Sequence, residues 1–267
     1  MSSPNKRRRV NDGDEALNIS AFKPSELEEK QEQKMTPVVP LPEPIFPEFD
    51  EIASILMVDL HKNAVSEVSA ALDELFDLIT EEDDGHKNRT KACKLGAHSF
   101  VVATMQKWTT FEEVQAAGCL CLGMLAYHKT LPVVKCGGVE AAIYAMKVFP
   151  QSRRVQSGAC TTLLNTLHGC ESKPKAVRRV TYRFVKEIDG VSLVLKALQT
   201  FPDEEDVRQC VLRLYRNILV DKLLRDAVVK AGILPTVADT LKKYPEDEDV
   251  QNHAKNIILS ILGKTFE

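Results

Sequence analysis

Residues 190–219 read GVSLVLKALQTFPDEEDVRQCVLRLYRNIL, and the order of residue types in that stretch decides the fold. Gly190 tolerates positive φ, so it stops one helix after its last turn and lets another start close by. Apolar residues then recur at helical spacing as far as Phe201, where Pro202 forbids continuation. Asp203-Glu204-Glu205-Asp206 follows, at the start of a second helix, where the macrodipole favours each negative charge by roughly 0.3–1 kcal/mol. That helix carries Val207, Val211, Tyr215 and Ile218 at offsets 0, 4, 8 and 11, which is one buried stripe. From Phe49 onward no six-residue alternation suggests a strand.

The same order recurs as Gly96…Trp108…Val114, Gly138…Phe149…Val155 and Gly232…Tyr244…Val250. Across the four segments the Gly-to-aromatic gap is 12, 11, 11 and 12 residues, and the aromatic-to-Val gap is 6 throughout. Pro follows the aromatic in three of them, at Pro150, Pro202 and Pro245. Val155, Ala159, Leu163 and Leu167 repeat the stripe, as do Val250, Ala254, Ile258 and Ile261. The segment Val68, Leu72, Phe76, Ile79 fits the same frame without the preceding aromatic, as a worn N-terminal unit of a stacked array would. Successive Val anchors are 46, 41, 52 and 43 residues apart, the period of armadillo and HEAT solenoids.

The unit resembles the armadillo repeat most closely in Val207-Arg208-Gln209 with Leu214-Tyr215-Arg216-Asn217-Ile218-Leu219, and in Val155-Gln156-Ser157-Gly158-Ala159-Cys160 with Leu163-Leu164-Asn165-Thr166-Leu167. Val114-Gln115 and Val250-Gln251 carry its Val-Gln signature as well. The resemblance implies an all-α, right-handed superhelical solenoid of about five repeats over 48–267, with 48–95 a degenerate repeat and 96–267 regular. It implies three helices per unit, and the segments 127–137 and 220–231 have room for the short first one. It also implies that the third helices line a concave groove in which an Asn at offset 10 binds the backbone of an extended peptide. Here that offset holds Asn165 and Asn217, but Met124 and Ser260 in the neighbouring units. Thr161, His168, Arg213 and Asn256 would set side-chain preference. At offset 6, where the importin-α receptors of this family place a Trp, stand Leu120, Thr161, Arg213 and Asn256, and the only Trp is Trp108. An importin-α-like receptor is therefore not expected.

Of the 267 residues, 44% are apolar and 27% charged, enough for a real core. A net charge of -3 argues against a chain built throughout to coat nucleic acid or anionic membrane. The longest uncharged run, 114–127, is too short to span a bilayer, and seven Cys without a CxxC pair fit free thiols in a reducing compartment. The expected setting is intracellular, cytoplasmic or nuclear. Residues 1–47 hold eight acidic and seven basic residues with five prolines from Pro37 to Pro47, which predicts a disordered tail ending in a Pro-rich linker. At its start Lys6-Arg7-Arg8-Arg9 looks like a short nuclear-import signal, which an import receptor would read.

No phosphate-binding loop, HExxH or nucleophile–base set is present, so a non-catalytic interaction scaffold or adaptor without cofactor is expected. Cys136, His168 and Cys170 would lack a fourth ligand, so no metal is expected either. In the one irregular unit, between Gly169 and Gly190, the first helix is expected to be about ten residues longer than its counterparts. It holds Lys173, Lys175, Arg178, Arg179, Arg183 and Lys186, close in sequence to Arg153 and Arg154. From 153 to 189 there are eight basic and three acidic residues, an alternative binding surface for nucleic acid or another anionic ligand. Only Tyr182 and Phe184 are available there for stacking, which weakly supports single-strand binding.

Overall fold

The computed structural model describes residue 55 and residues 64–127, 129–167 and 173–263. Among these, the secondary structure is helical throughout. An N-terminal helix α1 (Val65–Thr80) precedes four helix triplets. These are α2 (Gly85–Lys94), α3 (Ala97–Lys107) and α4 (Glu112–Ala126); then α5 (Thr130–Lys135), α6 (Gly138–Val148) and α7 (Arg153–Thr166). The third is α8 (Lys175–Lys186), α9 (Gly190–Thr200) and α10 (Glu205–Ile218), and the last α11 (Lys222–Lys230), α12 (Ile233–Lys243) and α13 (Glu248–Ile261). Helices of like rank stack on one another. Third helices run α1, α4, α7, α10, α13, and first helices α5, α8 and α11 form a second row.

All five Val anchors, Val68, Val114, Val155, Val207 and Val250, are fully buried, so the period read from the sequence is the period of the core. The glycine register is off by one in two units. The left-handed residue before each second helix is Gly96, Gly137, Asp189 and Gly232, with φ of 83°, 87°, 55° and 79°. Gly138 and Gly190 are instead the first helical residues. Counted from the left-handed residue, the distance to the aromatic is 12 in every unit, so the irregular gaps disappear. Asp189 can stand in because Asp is among the few residues that adopt this region, and its carboxylate accepts from Ser192 Oγ at 2.6 Å.

The Val-Gln pair has a structural task. Gln156 Nε2 donates to Met146 O and Phe149 O, both at 3.0 Å, at the C-terminus of α6. Gln115 treats Met105 O and Trp108 O in the same way, and Gln251 Leu241 O and Tyr244 O. The four last carbonyls of a helix have no partner within it. At α6 and α12 the donor that would serve Met146 O and Leu241 O belongs to Pro150 and Pro245, which have no N–H. The Gln six residues after each Pro supplies it.

In the third triplet this position is Arg208. Its side chain is nearly buried, its Nη1 donates to Pro202 O at 3.5 Å, its Nη2 lies 3.5 Å from Asp247, and it stacks at 4.0 Å over the Tyr244 ring. α4 and α7 approach most closely because a Cβ at Gly123 would lie 2.9 Å from Thr161 Cγ2, and one at Gly158 3.1 Å from Cys119 Cβ. Thr162 Oγ1 closes the contact by donating to Cys119 O at 2.7 Å.

The longer unit is less irregular than its sequence suggests. α8 has 12 residues against 10, 6 and 9 in α2, α5 and α11, so the first helix is not about ten residues longer than its counterparts, and the helix takes up only part of the extra length.

Candidate functional site

On each third helix the offsets −1, 2, 6 and 10 from the Val anchor share one face. On α7 these are Arg154, Ser157, Thr161 and Asn165; on α10, Asp206, Gln209, Arg213 and Asn217; on α13, Asp249, Asn252, Asn256 and Ser260. All twelve are exposed or half-buried. On α4, by contrast, only the Glu112–Glu113 start, Leu120 and Met124 reach the surface, and the rest of the helix is buried. This face is concave. Arg154 Nη2 on α7 and Asp73 Oδ1 on α1 come within 3.6 Å although α4 lies between those two helices, a closure that the inner side of a curve favours.

Thr161, Asn165, Arg213, Asn217 and Asn256 therefore lie on a common surface. The Asn165 amide donates one N–H to Gly123 O at 2.9 Å, which restrains its rotamer and leaves its Oδ1 and second N–H without a partner among the described residues. Asn217 is half-buried, and its amide makes no hydrogen bond among the described residues. Thr161 Oγ1 donates to Ser157 O at 3.0 Å and sits 3.4 Å from Cys210 Sγ. Asn256 Nδ2 donates to Asn252 O and Oδ1, both at 2.9 Å, and Arg213 is exposed. His168 lies outside the described residues, as do Cys170 and Lys6-Arg7-Arg8-Arg9.

The cations grouped in sequence separate in space. Arg153 and Arg154 open α7 in the third-helix row and are engaged there: Arg153 Nη1 is 2.8 Å from Glu204 Oε2, and Arg154 pairs with Asp73. Together with Leu120, Ser157 and Asp206 they line a shallow pocket in the groove floor. This departs from the acidic start expected of a third helix, which α4, α10 and α13 do show. Ser152 compensates at α7, accepting from Val155 N at 3.3 Å while donating to Glu112 Oε1 at 2.6 Å. Lys175, Arg178, Arg179, Arg183 and Lys186 lie instead on α8 in the first-helix row, with Lys173 just before it. Phe184 is fully buried, so Tyr182 alone is left for stacking on α8.

Burial disfavours the thiolate at the cysteines among the described residues. Burial pushes Cys119 up to about 12 and Cys136 up to about 11, and raises Cys121, Cys160 and Cys210 as well. Among the described residues no three His, Cys, Asp or Glu side chains gather to hold a metal ion, and no helix is long and apolar enough to cross a membrane. Sequence reasoning missed the Arg154–Asp73 bridge and the Gln staples. The first has no local signal, but the second was announced by Pro and Gln recurring six residues apart.

A family model described as the LRRK2 ARM repeat matches residues 43–265. Among solved structures, a designed armadillo repeat protein in complex with the peptide (KR)4 is similar, with a TM-score of 0.59 and 16% sequence identity. The match covers 79% of this chain and 81% of that one. No curated protein matches the sequence.

Proposed function

Since the chain belongs to the LRRK2 ARM repeat family, we propose that it is a non-catalytic interaction scaffold that binds an extended polypeptide segment along the concave third-helix face. The observation that carries this reading is the pair of amides at offset 10 on adjacent helices, Asn165 on α7 and Asn217 on α10. An extended chain presents alternating N–H and C=O groups, and an amide side chain can bond one of each. Asn165 is held by Gly123 O with acceptor and donor to spare. The similar designed protein holds a peptide, which supports the same use of the fold here.

Charge sorts the ligand. Along the groove run acids on α1 and at the start of α4, Arg153 and Arg154 on α7, then Glu204 and Asp206 at α10 with Arg213 beyond them. A segment carrying the complementary signs, basic then acidic then basic, replaces the Arg154–Asp73 and Arg153–Glu204 pairs with its own. Those pairs are solvent-exposed and weak, so exchanging them costs little. Thr161, Arg213 and Asn256 then face the ligand's side chains. In the same reading the Lys6-Arg7-Arg8-Arg9 run makes the chain a cargo of an import receptor, which an Ala replacement of the four in a fluorescent fusion would test by loss of nuclear signal.

The groove is tested with an Asn165→Ala/Asn217→Ala double variant in pull-down or proximity labelling against wild type, with captured segments then titrated calorimetrically. Each lost amide bond should weaken a groove ligand by roughly 0.5–1.5 kcal/mol. Partners that bind the double variant as tightly as wild type would show that the concave amides are not the recognition surface.

A further inference from the structure

Charge in this solenoid segregates by helix row. The first helices carry four Lys or Arg in α2, one in α5, five in α8 and three in α11, against a single acid, Asp226. The third helices α4, α10 and α13 each open on two acids. α8 is the longest of the first helices, lies between α5 and α11, and contains no acidic residue.

Its two faces differ sharply. Val177, Thr181, Phe184 and Val185 are buried against the core. Lys175, Arg178, Tyr182 and Lys186 are all exposed and follow one another at 3, 4 and 4 residues, so they form one outward stripe with Arg179 beside it. Tyr182 is 48% exposed in the middle of the cations. Arg183 is the exception: half-buried on the flank, it pairs with Glu140 at 3.7 Å and Glu187 at 3.6 Å. Lys175, Arg178 and Lys186 have no ion pair among the described residues. Elsewhere exposed cations do reach acids, as Arg153, Arg154, Lys87 and Lys243 show.

Nothing in the fold requires this arrangement. Lys175 and Arg178 sit in the first turn of α8, where the macrodipole disfavours positive charge, and neighbouring cations at i, i+3 and i+4 repel one another. A helix that kept only its buried face would be more stable without them. We propose that the exposed face of α8 is a docking surface for an acidic polypeptide segment that carries an aliphatic or aromatic side chain among its carboxylates. The carboxylates pair with Lys175, Arg178 and Lys186, and the apolar side chain packs on the Tyr182 ring. The stripe is about 16 Å long at 1.5 Å per residue, which about five residues of extended chain or three turns of helix would cover. A single exposed aromatic with Phe184 buried offers no stacking platform for successive bases, which favours a polypeptide over single-stranded nucleic acid. This surface is separate from the concave amides, so it stands or falls without the groove.

The test titrates the full chain into a fluorescein-labelled 12-residue peptide of Glu and Asp with one central Leu, read by anisotropy at low and moderate salt. Wild type should bind, and affinity should fall severalfold between about 50 and 200 mM salt, as for contacts between exposed charges. Lys175→Glu/Arg178→Glu/Lys186→Glu should weaken binding at least tenfold while circular dichroism shows an unchanged fold. The neutral triple Gln variant should fall between the two, which keeps the test open if the reversal perturbs folding. Tyr182→Ala should weaken binding a few-fold without altering the salt dependence. Asn165→Ala/Asn217→Ala should bind as wild type does. No binding by wild type, equal binding by both triple variants, or loss only in the Asn variant overturns the proposal. So does tighter binding of a labelled thymidine dodecamer through the same three cations, which would make the surface a nucleic-acid site.

Discussion

Replacing Gln156 by Met tests whether the Val-Gln signature is a staple rather than a family ornament. Met conserves the volume of the side chain, which is 2% exposed, and volume-conserving swaps usually cost under about 1.5 kcal/mol. What disappears is a pair of donors. Phe149 O keeps a second partner, Ser152 N at 3.2 Å, so its loss resembles one ordinary hydrogen bond, about 1 kcal/mol. Met146 O keeps none from the backbone, because the residue four ahead is Pro150, and a buried unsatisfied acceptor costs about 1–3 kcal/mol. The expected destabilisation is therefore about 2–4 kcal/mol, measured as the urea midpoint and slope followed by far-ultraviolet circular dichroism.

Gln251→Met at the half-buried last staple should cost less, since water can replace the lost donor at Leu241 O. Gln106→Met, at an exposed position of α3, serves as control and should shift stability by no more than about 0.5 kcal/mol. If Gln156→Met behaves like Gln106→Met, the staple contributes nothing and the reasoning fails. Arg208 supplies the reciprocal test. Its Nε is buried without a partner, so Arg208→Gln should restore a donor near Leu198 O and leave stability within about 1 kcal/mol of wild type despite losing the stack on Tyr244.

Gly190→Ala should destabilise by about 1–3 kcal/mol or more, seen as a lower melting temperature, because the added Cβ would lie 2.3 Å from the fully buried Phe184 ring. Burial, with Arg216 beside it, holds His253 below its ordinary value, so its neutral form favours the fold. The stability it confers is present above about pH 6.5 and is lost as pH falls through the folded value; melting at pH 7.5 and 5.5 should differ less in His253→Gln than in wild type. Cys119, Cys121 and Cys160 should resist iodoacetamide at pH 8 until urea unfolds the chain, by mass spectrometry of labelled peptides, since burial disfavours their thiolates. A chain begun near Phe46 should melt within a few degrees of the full one if the first 47 residues contribute no packed face; a larger fall would move that boundary.

What could be read from the sequence was whatever the fold repeats locally. Five Val anchors at roughly forty-residue intervals are five fully buried side chains, because a buried stripe needs only intrahelical spacing to be recognised. Ile258 and Ile261, at the same offsets in the last unit, are only half-buried, since no further third helix among the described residues packs over α13. The off-by-one glycines were misread for a related reason: Gly137-Gly138 and Asp189-Gly190 each offer two candidates, and only backbone geometry tells the left-handed residue from the one chosen for close packing.

The candidate site was legible as a set of offsets and illegible as a surface. Asn165 and Asn217 fall on the groove by periodicity alone, but what engages them comes from other helices. Gly123 O reaches Asn165 from 42 residues away, and Asp73 meets Arg154 across an intervening helix. The basic run shows the cost of reading contiguity as proximity. Arg153 and Arg178 are 25 positions apart in one charge-rich stretch, yet they stand in different helix rows, one paired with Glu204 and the other exposed. Curvature and row assignment are properties of stacking. They put the amides and the α8 cations in different helix rows, which is why the two sets of variants are expected to act independently.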